Sequence, residues 1–119
     1  MSNIEIRNAT IEDSALILKF VTELAIYEKA EHEVKATQCD IQESLFGSDS
    51  NTKAVICHID NKPVGFAVYF FNYSTWLGKH GLYLEDLYVS SEYRGSGAGK
   101  AMLKYLAKIA GLPRPENCL

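Results

Sequence analysis

The chain has 119 residues, of which 47% are hydrophobic and 23% charged, and this balance predicts one soluble globular domain rather than a disordered chain. The net charge of −3, without an extended basic stripe, disfavours nucleic acid as a partner. Residues 64–71, the longest apolar stretch, are too few to span a membrane, and residues 1–9 contain no apolar run of a signal peptide, so we expect a cytoplasmic protein with no membrane partner.

The first part of the chain predicts one strand and two helices. Residues 4–7 alternate apolar and polar side chains, as a short strand does. A helix-capping pattern at Thr10-Ile11-Glu12-Asp13 is followed by apolar residues at helical spacing, which predicts a helix over about 11–28. The same pattern at Thr37-Gln38-Cys39-Asp40 predicts a second, shorter helix that closes at Gly47.

The middle of the chain predicts a β-hairpin and a further strand. Residues 53–59 and 64–73 are β-branched and aromatic runs, and residues 60–63 have the composition of a turn, so the two runs should be antiparallel neighbours. Their near-continuous apolarity indicates that both faces of the sheet are covered. Residues 74–81 are predicted to form a loop, and residues 82–89 a central strand.

Two carboxylates, Glu85 and Asp86, interrupt the otherwise apolar run 82–89. A carboxylate in a buried strand is costly unless it is paired, hydrated or used in function. Strand alternation predicts that the two side chains lie on opposite faces. We interpret Asp86 as a structural group that bonds the backbone or Arg7, and Glu85 as a candidate base, because a partly buried carboxylate beside a cleft can have a raised pKa.

Residues 94–100, which read Arg-Gly-Ser-Gly-Ala-Gly-Lys, join this strand to a last helix predicted to end at about Ala110. Three alternate glycines let backbone N–H groups converge on a ligand, the helix adds its positive N-terminal end, and Arg94 adds a cation. The stretch therefore predicts a cradle for phosphates. It is neither a P-loop, which needs glycine where Arg94 stands, nor a dinucleotide fingerprint, which needs glycine or alanine where Lys100 stands.

Charge is distributed unevenly along the chain. Residues 1–60 carry 11 acidic and 5 basic side chains, whereas residues 61–119 carry 4 acidic and 7 basic ones. Three glutamates fall close together at Glu28, Glu31 and Glu33. They are either a solvated helix end or a patch that attracts an amine, and the overall division is what a protein would show if it held an anion with one half and a cation with the other.

The pattern Arg-x-x-Gly-x-Gly, after a strand that bears a glutamate, resembles the GNAT superfamily of acyl-CoA-dependent N-acetyltransferases. Other segments are similar to the spermidine/spermine (diamine) acetyltransferases and their thialysine-acetylating relatives: Tyr27-Glu28, Val64-Gly65-Phe66-Ala67, Tyr69-Phe70, Trp76-Leu77-Gly78-Lys79, Leu82-Tyr83-Leu84-Glu85-Asp86 and Tyr93-Arg94-Gly95-Ser96-Gly97-Ala98-Gly99. The resemblance implies an α/β (α+β) fold over residues 1–110, the N-terminal part of the GNAT fold, with a mixed, mostly antiparallel sheet of about four strands and three helices. Residues 111–119 are expected to be a short tail foreign to the family.

The resemblance also implies a reaction, in which acetyl-CoA is the co-substrate and the acceptor is a primary amine of a small cationic molecule. The residues implied to hold the pyrophosphate are Arg94, Gly95, Gly97, Ala98, Gly99 and Lys100, and those implied to pair with the pantetheine arm are Leu87 and Val89. Glu85 is implied as the base, and the amine is implied to meet Glu28, Glu31, Glu33 and Trp76. The three cysteines and three histidines show no paired spacing, so we expect no metal site.

Two departures from the family pattern bear on these expectations. Ser74 stands where the polyamine enzymes carry an aspartate, which leaves the identity of the amine open. The family's later strands, with a tyrosine that acts as general acid, have no counterpart in residues 111–119. We therefore expect an exposed edge on strand 82–89 and a homodimer. The alternatives are a non-catalytic CoA-binding or dimerisation fragment, and a plain α/β domain whose glycine turn binds nothing.

Overall fold

The computed structural model describes residues 3–75 and 78–111. Its elements in chain order are β1 (Ile4–Asn8), α1 (Ser14–Tyr27), α2 (Gln38–Phe46), β2 (Thr52–Ile59), β3 (Lys62–Ser74), β4 (Lys79–Val89) and α3 (Ala98–Ala110). Within the described ranges the strands form one antiparallel sheet in the order β1-β2-β3-β4. The expected α/β fold with three helices and four strands is confirmed. Strand β4, however, lies at the edge of this sheet and not at its centre as predicted.

The two predicted capping patterns both fold as capping boxes. At the first, the Thr10 N–H donates to the Asp13 carboxylate at 2.7 Å, one turn before the main body of α1. At the second, the Thr37 N–H donates to Asp40 at 2.8 Å, and the Asp40 N–H donates to the Thr37 hydroxyl oxygen at 3.2 Å. These reciprocal bonds use N–H groups that a helix start leaves unpaired, which explains why α1 and α2 begin where they do.

Asp13 also joins the start of α1 to β1. The two terminal nitrogens of Arg7 donate to the Asp13 carboxylate at 2.7 and 2.8 Å. The hydrogen bonds from Arg7 lower the pKa of Asp13 to about 2, against the opposing effect of burial. Since Arg7 is committed to Asp13, the predicted pairing of Asp86 with Arg7 is wrong.

Both hairpins differ from their predicted boundaries. The β2–β3 turn consists of Asp60 and Asn61 alone, which have positive φ values of 50° and 69°, as a two-residue hairpin turn of the left-handed type requires. The β3–β4 hairpin is longer than predicted, because pairing continues to Ser74 opposite Lys79. Residues 74 and 79–81 of the predicted loop are therefore strand, since ladder hydrogen bonds outweigh local propensity.

The sheet is covered on both faces, as predicted. One face packs on α1 and α2 through a core that includes Ile17, Phe20, Leu45, Ile56, Phe66 and Tyr88. The other packs on α3 through Val55, Cys57, Val64, Ala67, Met102 and Leu106, among others. No helix in the described ranges is both long enough and apolar enough to cross a bilayer.

Gly65 lets β3, β4 and α3 approach one another closely. A Cβ atom at this position would lie 2.5 Å from the Tyr88 carbonyl oxygen and 3.2 Å from the end of the Met102 side chain. Any larger residue would push β4 outward. Gly65 thus helps to set the position of the strand that carries the candidate site.

Candidate active site

A cavity of about 570 Å³ lies where the end of α1, the end of β4 and the start of α3 meet. Its lining includes all the residues that the family resemblance implied for the cofactor, namely Leu87, Val89, Arg94, Gly95, Gly97, Ala98, Gly99 and Lys100. Leu24, Tyr27 and Glu28 line it from α1, and Tyr88 and Tyr93 complete it. The fold thus gathers residues from three elements around one opening.

Residues 94–100 form one side of the cavity, which we call the glycine wall. Gly95 and Gly97 have φ values of 83° and 95°, in the left-handed region that favours glycine. The first helical bond of α3 runs from the Ala101 N–H to the Gly97 carbonyl oxygen at 2.9 Å. The N–H groups of Gly99 and Lys100 come before it and have no helical acceptor, so this end of α3 is electropositive.

Arg94 and Lys100 add two cations to the glycine wall. Lys100 is exposed in the first turn of α3. The guanidinium of Arg94 lies over the ring of Tyr27, 4.0 Å from its centroid, and its Nε donates to the Val89 carbonyl oxygen at 3.3 Å. Backbone N–H groups, a helix N-terminus and two cations together are suited to an anion such as a phosphate.

Among residues 3–75 and 78–111, no strand pairs with the outer edge of β4, which lies beside this wall. The Tyr88 carbonyl faces β3, as its closeness to Gly65 shows. The Val89 carbonyl points the opposite way, because it accepts from Arg94. Strand alternation then turns the backbone groups of Leu87 and Val89 outward, away from the described sheet. This edge can pair with an extended chain that carries amide groups.

The carboxylates of β4 lie at a β-bulge. Asp86 pairs with Val68, but Leu84 pairs with Tyr69, so Glu85 is an extra residue without an opposite partner in β3. The simple alternation on which the opposite-face prediction depended is therefore interrupted, since a bulge redirects the side chains around it. Bulges are common next to active sites.

Glu85 and Asp86 differ in burial, but in the opposite way to the prediction. Glu85 is exposed, whereas Asp86 is half-buried. The pKa of Asp86 is raised, first by burial and then by the negative charges of Glu85 and Glu28. The expectation that Glu85 is the partly buried carboxylate is wrong, and the group interpreted as structural has the perturbed pKa. We call Glu28, Glu85 and Asp86 the acidic wall.

The residues implied for the amine are only partly brought together. Glu28 lines the cavity and acts electrostatically on Asp86. Glu31 and Glu33 are exposed on a 3-10 turn, Glu31–Glu33, outside the lining of the cavity. Trp76 lies outside the described residues. Within those ranges, no three His, Cys, Asp or Glu side chains are grouped as a metal site requires.

Sequence reasoning missed a network behind the cavity. The Tyr88 hydroxyl donates to the Glu23 carboxylate at 2.9 Å, and the Ser90 hydroxyl donates to the same oxygen at 3.2 Å. Burial and the Glu23 contact raise the pKa of Tyr88. The bonds fasten α1 to the end of β4. A signal was available, because Glu23 lies three residues after buried Phe20 and so on the inward side of α1.

Comparison with known proteins identifies this arrangement. Residues 18–112 match the profile of the Acetyltransferase (GNAT) family. The chain belongs to the GNAT acetyltransferase family. GNAT acetyltransferases use acetyl-CoA, and the glycine wall and the outer β4 edge fit its pyrophosphate and its amide-bearing arm in chemical character.

Individual relatives agree with the family assignment. The chain is 36% identical over 118 residues to thialysine N-epsilon-acetyltransferase of Bos taurus, covering 92% of this chain and 69% of that protein. It is 38% identical over 126 residues to spermidine/spermine N(1)-acetyltransferase-like protein 1 of Homo sapiens, covering 100% of this chain and 18% of that protein. A solved structure, a possible acetyltransferase from Clostridium difficile 630, matches with a TM-score of 0.75 and 25% identity over 92% of this chain and 72% of that one. This GNAT protein is therefore an acetyltransferase, and acetyl transfer to an amine is supported.

Proposed function

We propose that this GNAT enzyme transfers the acetyl group of acetyl-CoA to a primary amine of a small cationic substrate: a polyamine, a diamine or a lysine-like amine. The observation that carries the proposal is the opposite charge of two walls near one cavity. Arg94, Lys100 and the start of α3 are electropositive, whereas Asp86 interacts electrostatically with Glu85 and with Glu28, which lines the cavity. An anionic co-substrate and a cationic acceptor can thus lie side by side.

The glycine wall is assigned to the pyrophosphate. Its backbone N–H groups and Arg94 supply donors for phosphate oxygens, and charged hydrogen bonds of this kind are the stronger ones. The outward backbone groups of Leu87 and Val89 are assigned to the amides of the pantetheine arm, as in the addition of a strand. Acetyl-CoA, when bound, supplies a thioester carbonyl that an amine can attack.

The acidic wall is assigned to the amine. An alkylammonium has a pKa of roughly 10 and must lose a proton before it becomes a nucleophile. The family resemblance favours Glu85 as the proton acceptor, and burial favours Asp86, whose pKa is raised. Glu28 contributes negative charge that attracts the cation. Glu85 and Asp86 are thus alternative proton acceptors, which substitution of each can tell apart.

The reaction itself is tested by incubating the protein with acetyl-CoA and spermidine, putrescine, lysine or thialysine. Release of free thiol is followed, and CoA binding is measured in parallel by calorimetry. We expect CoA binding, and thiol release that depends on at least one amine. Binding without release for any amine would indicate a CoA-binding module instead, and the absence of both contradicts the proposal.

Glu85→Gln and Asp86→Asn identify the base. The substitution that removes it should lower kcat at least about tenfold, flatten the acidic limb of the pH–rate profile and leave the Kd for CoA within about twofold. Glu92→Gln, at an exposed carboxylate outside the cavity lining, is the matched control. Unchanged kcat in both β4 variants would exclude the acidic wall from proton transfer.

We also propose that two copies associate through the part of β4 that precedes Glu85, so that the outward backbone groups of Leu87 and Val89 stay available to the pantetheine arm. The outer edge of β4 has no strand partner within the described ranges, and Leu84 and Tyr83 on this strand are exposed. Open strand edges recruit further strands. Light scattering should give the mass of two chains, and the mass of a single chain at every concentration would contradict the dimer.

A further inference from the structure

Two residues from opposite sides of the cavity, Tyr27 and Arg94, are in direct contact. The guanidinium carbon of Arg94 lies 4.0 Å from the centroid of the Tyr27 ring. Its Nε also donates to the Val89 carbonyl oxygen at 3.3 Å. Tyr27 is the last residue of α1, whereas Arg94 begins the glycine wall. A ring at the end of the first helix thus fixes a cation in the proposed phosphate site.

We propose that Tyr27 is a positioning residue for anion binding, whose ring holds the Arg94 guanidinium in the orientation that meets the pyrophosphate of acetyl-CoA. The proposal rests on the function proposed above and adds to it a residue outside the glycine wall. The family resemblance includes Tyr27-Glu28 but implies no role for Tyr27, and neither the glycine motif nor the acidic residues of the sequence point to its contact with Arg94.

The exposure of Tyr27 argues against a packing role. The residue is 64% exposed and belongs to neither of the two cores formed by the described residues. Burial of apolar surface therefore gives it little stabilising effect. An exposed ring can still attract a guanidinium through its negative face. The contact with Arg94 is the interaction that distinguishes Tyr27 from an ordinary surface residue.

The contact leaves Arg94 able to bind an anion. A guanidinium has five N–H donors, and the hydrogen bonds among the described residues use only the one on Nε. The donors on the two terminal nitrogens remain for phosphate oxygens. A long side chain loses rotamer freedom when it binds a ligand. Because the ring and Val89 already fix the guanidinium plane, less freedom remains to be lost on binding.

The ring face, and not the hydroxyl, carries this role, so conservative substitution should rescue it. Calorimetric titration with CoA should show Tyr27→Leu binding about three- to tenfold more weakly than the unsubstituted chain. Tyr27→Phe keeps the ring and should restore the affinity to within about twofold. Ile26→Ala, at an exposed neighbour on α1, controls for general effects of substitution at this helix end. Loss of affinity in Tyr27→Phe as great as in Tyr27→Leu overturns the role of the ring.

A double substitution separates positioning from a structural effect. When Arg94→Ala is already present, Tyr27→Leu has no guanidinium to release, so it should change CoA affinity by less than about twofold. Equal losses in both backgrounds, or unaltered affinity in Tyr27→Leu alone, overturn the proposal. If the unsubstituted chain fails to bind CoA, the proposed function fails and this inference fails with it; if that chain binds CoA and Tyr27→Leu binds equally well, only the inference fails.

Discussion

The glycine wall and the acidic wall are built from different parts of the polypeptide, and of the acidic wall only Glu28 lines the cavity. The glycine wall is seven consecutive residues, 94–100, whose shape follows from backbone conformation and a helix start. The acidic wall combines Glu28, at the C-terminal end of α1, with Glu85 and Asp86 at a bulge in β4. The first depends on local sequence, and the second depends on how distant elements pack. The shape of the glycine wall should therefore change with substitutions inside 94–100, whereas the acidic wall should also respond to substitutions elsewhere that loosen α1 or β4.

The largest effect on stability is expected at Asp13, which anchors the helix that carries Glu28. Its pKa is about 2 in the folded protein against an ordinary 3.8, which corresponds to about 1 to 2 kcal/mol after screening at the part-exposed Arg7. Because folding lowers this pKa, the contribution is present above about pH 4 and is lost as the pH falls toward 2. Urea unfolding of Asp13→Asn across this range measures it.

Asp49→Asn, at an exposed loop carboxylate, is the control for Asp13. It should change the free energy of unfolding by less than about 0.5 kcal/mol at neutral pH. A deficit in Asp13→Asn that is the same at pH 7 and pH 2.5 would show that the Arg7 contact does not anchor α1.

Gly97→Ala acts on the glycine wall directly. Its φ of 95° is costly for any residue with a Cβ, so the free energy of unfolding should fall by about 1 kcal/mol. Gly99→Ala is the matched control, because Gly99 lacks a positive φ and its nearest contact would be the Val89 side chain at 3.8 Å. Thermal unfolding of both variants gives the comparison. If Gly97→Ala and Gly99→Ala are equally stable, a Cβ atom causes no strain at the positive φ of position 97.

The smallest effect, and one of opposite sign, is expected at Asp86. Burial raises its pKa in the folded protein, so its charge opposes folding as the pH rises through and above its ordinary value. Asp86→Asn should then be more stable than the unsubstituted chain at pH 7, and the gain should vanish below about pH 3.8. Urea midpoints at the two pH values measure this. If Asp86→Asn is less stable than the unsubstituted chain at pH 7, the Asp86 carboxylate stabilises the fold through a structural partner and is not a destabilising charge kept for function.

The sequence predicted those features that local patterns determine. The capping residues Thr10 and Thr37 located both helix starts, the apolar runs predicted a sheet covered on two faces, and the glycines of 94–100 predicted the turn before α3. The bulge at Glu85 was not predictable, because it depends on the register between β3 and β4. Strand alternation predicted only that Glu85 and Asp86 face opposite ways, so it could not tell which of them is buried, and the choice of Glu85 as the partly buried carboxylate was wrong.

Contacts between distant elements were equally hidden. Nothing near Tyr27 in the sequence indicates that its ring meets Arg94, since that contact requires α1 to pack across the end of β4. The length of the β3–β4 hairpin was also missed, because its polar residues pair through their backbones as far as Ser74 and Lys79. Side-chain contacts across the fold and the extent of strand pairing are thus the features that the structure adds.

The assignment of the glycine wall to the pyrophosphate is tested most directly by comparing the binding of CoA with that of pantetheine, which lacks the phosphates. Calorimetric affinities are measured for both ligands with the unsubstituted chain and with Arg94→Ala. Loss of a charged hydrogen bond should weaken CoA binding by roughly 1.5 to 3 kcal/mol, more than tenfold, and leave pantetheine affinity unchanged. An equal loss for both ligands, or no loss for CoA, would contradict the assignment of the glycine wall to the pyrophosphate.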